Sequence, residues 1–333
     1  MTIEDVQKEL GEYIKNNTEI VSAGVYSDEI QINKYCKTIT AVKGKFPSFH
    51  KVMGHVVQGF KPQWQKLGEA EFKHKMLQNF RQKVNFEIIP DEVLNTWLAT
   101  LYVEGKTAEE HPISKEIMDD LMAKVTDDLD DLSQGGEYDA LTSSGAYGNS
   151  IDGIEQQRVK ALENTVHPAF KIPLDAMTNV NILDVFKAYE KGIPSKMRKK
   201  VKRVFVSENI AMDYADAYEK EYGTNVTYTE DKAIKTPRLK FEIVGLYGVP
   251  DDFFVSTLEG NLGRLIDVFD KPTVTDIQKH DYVLKIFMDW YLGYDFFINE
   301  IVFIGVFDDS DRGLGDAELN ALYYDSENLV VTP

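Results

Sequence analysis

Apolar side chains along this chain switch repeatedly between the spacing of a strand and that of a helix. In KVNFEII, residues 83–89, Val84, Phe86 and Ile88 alternate with Lys83, Asn85 and Glu87, the period of a half-exposed strand. CKTITAV, beginning at Cys36, has a similar texture and is expected to pair with it. Between them runs KFPSFHKVMGHVVQGFKPQWQKLGEAEF, basic and punctuated by glycine. A connection of that length is unusual inside a compact domain, so it is expected to project or to be functional. Asp91, after Pro90, is placed to cap a helix presenting Val93, Leu94, Trp97, Leu98 and Leu101, broken by Gly105 and Pro112. A longer helix is predicted at SKEIMDDLMAKVTDDLDDL, where Ile117, Leu121, Val125, Leu129 and Leu132 recur at helical spacing. That stripe is expected to pack on strands around Val283, Phe287 and Val302, while Asp127, Asp128, Asp130 and Asp131 crowd the other face. Gly135 and Gly136 end the helix, and EYDALTSSGAYGNSIDG after it marks the clearest boundary in the chain.

Residues 1–35 hold a short amphipathic stretch, VQKELGEYI, interrupted by Gly11 and NNTE, which predicts an extended arm. Past the boundary the pattern alternates between helix and strand. NILDVFKAYEKG is a helix stopped by Gly192 and Pro194, and RVFVSE is a short buried strand. Asn209 is placed to cap a helix presenting Ile210, Tyr214, Tyr218 and Tyr222, closed by Gly223. RLKFEIVGL is a strand, VPDDFFVSTLEGNLGRLIDVFD a turn and a strand, and DYVLKIFMDWYLG and FFINEIVFIGVF are long β-rich runs before an acidic tail. No internal repeat is present. The class is α+β, with elements from both ends of the chain completing its β-rich part.

At 333 residues with 43% hydrophobic and 28% charged side chains, the composition is that of a folded globular protein with a sizeable core. The single cysteine, Cys36, excludes an internal disulfide and any multi-cysteine metal cluster, and suits a reducing cytosol. The opening MTIEDVQKELGEY lacks the apolar core of a secretory signal. No run approaches the about 18 apolar residues of a membrane span, so no membrane contact is expected. The net charge of −18 is unevenly spread. From Lys37 to Lys83 ten Lys and Arg face two acids, a net of +8; from Glu104 to Asp139 twelve acids face three lysines, a net of −9. Such blocks either pair within one chain or meet on neighbouring copies.

Motifs of catalysis are missing. There is no GxxxxGK[ST], GxSxG, HExxH or paired CxxC, and EGNLGRL lacks the context of a dinucleotide loop. His50, His55 and His74 bring no third metal ligand with them. TDDLDDLSQGGE places Leu129 and Leu132 where a calcium loop needs oxygen donors, so its carboxylates read as a solvated helix face. No catalytic residue, cofactor or metal is expected, and the chain does not read as an enzyme. One cluster asks for an explanation: in KMRKKVKR, residues 196–203, Lys196, Arg198, Lys199, Lys200, Lys202 and Arg203 are basic, in a strongly acidic protein. Seen alone it suggests nucleic-acid binding.

The order of parts resembles the major capsid proteins of tailed bacteriophages, the Hong Kong 97-type fold. SIDGIEQQ after the long helix resembles the family's entry into its axial domain, RKKVKRVFVSENIAMDYADAY its basic run, strand, polar turn and helix, and IVGLYGVPDDFFVSTLEGNL its strand, proline turn and strand. Met288–Asp289 and Asn299–Glu300 depart from the family's final strands, and the long scaffolding segment of some members is not expected here, so that scaffolding would come from a separate protein or from none. The resemblance implies an N-terminal arm over 1–35, an extended loop (E-loop) over 36–89 and a peripheral P domain with its spine helix over 90–159. It further implies an axial A domain over 160–271, returning P-domain strands over 272–310 and an acidic tail over 311–333. It implies a shell protein whose partners are copies of itself in pentamers and hexamers, with portal, scaffolding or decoration proteins and packaged double-stranded DNA bound without sequence specificity. Assembly would take place in the host cytoplasm and the product would be the virion. The contacts between copies are expected from Phe46, Phe49, Phe60 and Trp64 with Lys61, Lys66 and Lys73 on the loop. Asp127, Asp128, Asp130 and Asp131 on the spine and Arg198, Lys199 and Lys200 in the basic run complete the set. An encapsulin-like nanocompartment has the same fold and is the nearest alternative. A soluble nucleic-acid-binding protein using 196–203 is the alternative of a different class.

Overall fold

The computed structural model describes residues 3–17, 19–68, 70–89, 92–93, 97, 113–178, 180–222, 234–236, 238–267 and 273–324. The 23-residue helix α3 (Ile113–Gly135) forms where the apolar spacing predicts it, with Glu116 favourably placed in its first turn. Ile117, Leu121, Val125, Leu129 and Leu132 are all buried, joined by Ile113, Met118 and Met122. They share a core with a five-stranded sheet ordered β1 (Lys37–Ile39), β10 (Leu262–Ile266), β12 (Val283–Phe296) and β11 (Thr273–His280), with β4 (Phe80–Ile88) also paired to β12. Strand β12 is the hub, antiparallel to its three partners.

Leu284, Ile286, Met288, Trp290 and Leu292 of β12 point into the core. Val283 and Phe287, expected against the helix, lie on the opposite, half-exposed face, because a shift of one residue along a strand reverses the side. Val302 does join the same core as α3, although its strand belongs to another sheet. The expected pairing of CKTITAV with KVNFEII is also not observed: β1 runs parallel to β10, and β4 takes β12. The longer strand offers β4 a nine-residue register, whereas β1 has three residues to offer.

The second sheet has six strands, ordered β5 (Phe170–Pro173), β13 (Val302–Val306), β9 (Phe254–Thr257), β6 (Arg203–Ser207), β8 (Glu242–Leu246) and β7 (Ile234–Lys235). Its central strands are near-continuous apolar runs because both faces are covered. Phe205, Val244, Val255, Val302 and Ile304 face the core shared with α3. Val204, Val206, Ile243, Phe254 and Phe303 face helices α5 (Ile182–Gly192) and α7 (Glu208–Tyr222). The cap of α7 is Ser207, whose Oγ accepts the Ile210 N–H at 3.2 Å, and Asn209, the expected cap, instead reaches Asp251. Gly223, expected to close that helix, lies outside the described residues.

The N-terminal segment is helical rather than extended: α1 (Ile3–Asn16) and α2 (Ile20–Val25) pack on α3. Val6, Leu10, Val21 and Val25 are buried there, and Gly11 faces open space, so its propensity cost of about 1 kcal/mol is outweighed by burial. Of the helix expected after Pro90, only Glu92, Val93 and Trp97 are described, with Trp97 buried in the core; Leu94, Leu98, Leu101, Gly105 and Pro112 lie outside the described residues. The C-terminus of α3 abuts the segment leading to α4 (Ile154–Glu163), and there the backbones touch. A Cβ at Gly136 would lie 2.8 Å from the Ile151 carbonyl oxygen, and one at Gly153 would lie 2.7 Å from that of Gln134. Only glycine admits such an approach.

Candidate assembly surface

Strands β2 (Lys45–Met53) and β3 (Ala70–Gln78) pair with each other and with neither large sheet. They form the ribbon that the long basic segment predicts, and a two-stranded ribbon is marginal by itself in water. Its base is fastened to the body. At the joint, Asn79 donates to the Val42 carbonyl at 2.7 Å and accepts the Gly44 N–H at 2.7 Å. Lys75 Nζ reaches Asp295 Oδ1 at 2.5 Å, the Phe296 carbonyl at 2.8 Å and Asn299 Oδ1 at 2.7 Å, with both charged groups almost buried. Burial pushes the Asp295 carboxyl above the ordinary range, and the Lys75 ammonium opposes that push. On the neighbouring strand His50 Nε2 lies 2.7 Å from the Tyr323 hydroxyl, on the C-terminal helix α8 (Ala317–Tyr324). Burial lowers the His50 pKa and raises that of Tyr323.

Beyond these anchors the ribbon is bare. Phe60 is 94% exposed, Trp64 85% and Phe49 73%, and Val57 and Phe72 are equally open. A run of exposed aromatic and aliphatic side chains on one projection is an interaction surface by the usual criterion. Two of the expected contact residues are turned inward instead. Phe46 packs beside Val42, Leu77 and Leu265 of its own chain. Lys73 is mostly covered, 3.5 Å from Glu71 and 5.8 Å from the centre of the Tyr323 ring. Lys61 and Lys66 are exposed near the tip.

The spine carboxylates are divided. Asp127 faces solvent, while Asp128 pairs with Lys124 at 2.7 Å one turn away. Asp130 accepts the Gln31 N–H at 2.8 Å, and the Gln31 side chain donates to the Gly245 carbonyl at 2.7 Å, so the N-terminal segment is tied to both layers. Asp131 accepts from the Tyr147 hydroxyl at 2.9 Å. Among the described residues no group of three or more His, Cys, Asp or Glu could hold a metal ion.

The basic run divides in the same way. Arg198 donates to the carbonyls of Ile193 (2.7 Å) and Lys191 (2.5 Å), closing the end of α5. Lys202 pairs with Glu259, and Arg203 pairs with Glu242 at 2.6 Å while lying over the Tyr35 ring. Lys199 and Lys200 remain exposed. Lys75 and Tyr323, the polar anchors of the ribbon, were not singled out by the sequence, since Lys75 looks like any other lysine of the loop until the fold brings Asp295 to it.

No protein-family model matches the sequence, and no curated protein matches it. Solved structures do. A chain of the satellite phage P4 procapsid that includes the size determination (Sid) protein is 12% identical, with a TM-score of 0.51 over 89% of this chain and 100% of that one. A chain of the cyanophage A-1(L) capsid asymmetric unit is 14% identical, with a TM-score of 0.50 over 90% of this chain and 93% of that one. At such identities the likeness is one of fold. No helix among the described residues is long and apolar enough to cross a membrane. This chain has the α+β, Hong Kong 97-type fold of tailed-bacteriophage major capsid proteins.

Proposed function

We propose that the chain is a major capsid protein that assembles into pentamers and hexamers of an icosahedral or prolate shell enclosing double-stranded DNA. The observation that carries this reading is the ribbon: its base is held by buried polar contacts while Phe49, Phe60, Trp64 and Phe72 are left in water. A free chain gains nothing from that arrangement, and a lattice of copies gains an anchor at each contact. A seat of suitable chemistry is present on each copy. The cleft of about 690 Å³ between α3 and strands β4 and β12 is lined by Val84, Leu129, Trp290 and Tyr147, with Asp128 also on its wall. Lys61 and Lys66 near the tip of a neighbour's ribbon suit the Asp128 carboxylate. In this reading the five-stranded sheet with α3 is the peripheral domain and the six-stranded layer the axial one. The role is structural, and portal, scaffolding and DNA are partners of the assembled shell.

The test is electron microscopy of the purified protein beside a Phe60→Ser, Trp64→Ser variant. Closed particles from the parent and none from a variant whose monomer melts normally are expected. A parent that stays monomeric at every concentration, or a variant that forms normal particles, would be evidence against the proposal.

A further inference from the structure

The six-stranded layer carries two surfaces of opposite charge, each with charged side chains that form no ion pair among the described residues. The first is a cleft of about 560 Å³ where β6 and β8 begin. Arg198, Lys202 and Arg203 at this cleft are already engaged, and the one carboxylate among its described lining residues, Glu242, belongs to Arg203. Lys199, Lys235, Arg238 and Lys240 also line it, are exposed, and have no ion-pair partner among the described residues. Leu239 stands among them, 41% exposed. The second surface is the outer face of α7, where Glu208, Asp216 and Glu219 are exposed, Asp213 is half-buried, and none is in an ion pair among the described residues. Met212, 55% exposed, stands in the middle of these carboxylates.

We infer that the basic cleft of one copy receives the acidic outer face of α7 from the next copy, with Met212 against Leu239, and that this contact closes the ring of a capsomer. The inference rests on the shell reading above and names the surfaces it leaves open. Two different patches on one unit make a heterologous contact, which generates a ring when the rotation closes. Each patch has the anatomy of an interface, an apolar residue inside a charged rim. Phosphodiester would also satisfy the lysines, but it offers nothing to Leu239 and leaves the carboxylates and Met212 of α7 unexplained. Each copy carries a net charge of −18, so copies repel at long range and approach only where local charge is opposite. Screening within about 8 Å at physiological salt makes the match a matter of contact geometry.

The test uses the full chain and two charge reversals. Lys199→Glu, Arg238→Glu, Lys240→Glu on one surface and Asp216→Lys, Glu219→Lys on the other should each lower particle yield by about tenfold or more while the monomer melts as the parent does. Carried together in one chain, the reversals should restore most of the yield. Oxidised particles of a Met212→Cys, Leu239→Cys variant should give a disulfide ladder ending at pentamer and hexamer, and neither single cysteine should. Parent particles with no rescue by the combined reversal and no ladder would overturn this pairing and leave the shell reading standing. A parent that forms no particles would remove both. Tight nucleic-acid binding by the parent at physiological salt, abolished by the cleft reversal, would assign the cleft to phosphate and also overturn the pairing.

Discussion

At the scale of single residues, burial and partnership decide what each side chain is worth. Leu121 is buried in the apolar stripe of α3, so Leu121→Ala removes transfer energy and leaves a cavity. Its expected cost is about 2–5 kcal/mol, read from denaturant unfolding of the monomer. Lys75 differs in kind, because its loss would strand a buried carboxylate: Lys75→Ala should cost about 3–5 kcal/mol, and adding Asp295→Asn should recover part of that. Glu190 gives a pH test. Its carboxyl is buried in the fold and bonded to Thr236, and burial raises its pKa above the ordinary 4.5. The folded state therefore holds the proton more tightly than the unfolded chain, so stability falls as pH rises from about 4.5 through the raised value and then levels. Glu190→Gln keeps an acceptor for Thr236 and cannot titrate. Melting temperatures between pH 4 and pH 7 should lose that slope in the variant, and equal slopes would mean that Glu190 ionises in the fold without cost.

At the scale of elements, the same arithmetic explains which of them stand alone. Helices α1 and α2 bury Val6, Leu10, Val21 and Val25 against α3, each worth about 1.5–3 kcal/mol. Removing residues 1–26 should therefore consume most of a typical net stability of about 5–15 kcal/mol, seen as loss of the cooperative thermal transition. The ribbon is the opposite case. Its exposed aromatics contribute little to the monomer, so Phe60→Ser with Trp64→Ser should change unfolding free energy by less than about 0.5 kcal/mol while abolishing particles. Helix α3 could be drawn from its spacing alone, since a long 3.6-residue period has one solution. The N-terminal helices could not, because Gly11 and NNTE break the local pattern and the helix depends on a partner more than 100 residues away. The contact surface was half legible for a related reason. Phe49, Phe60 and Trp64 are where a projecting loop would put them, whereas Phe46 and Lys73 lie near the ribbon's base, where the body covers them.

At the scale of the whole molecule, charge is the lever. The carboxylates of α3 are taken up by Lys124, Gln31 and Tyr147 or face solvent, so a chelator or added calcium should leave the melting temperature unchanged. A collapse on chelation would show that the cluster holds an ion. The sequence by itself determined the α+β class, the long amphipathic helix, the projecting basic ribbon and the order of parts that resembles a capsid protein. Those features are local: they follow from the period of apolar residues over one helix or one strand, and from the turns between them. Tertiary structure alone decided that β1 joins β10, that β12 turns Leu284 rather than Val283 inward, and that Lys75 finds Asp295. It likewise decided that Arg198, Lys202 and Arg203 of the basic run are spent inside the chain while Lys235, Arg238 and Lys240 gather beside Lys199. Each of these pairs residues far apart in the chain, where strand register and burial are set by competition among many possible partners, and no local pattern records which partner wins.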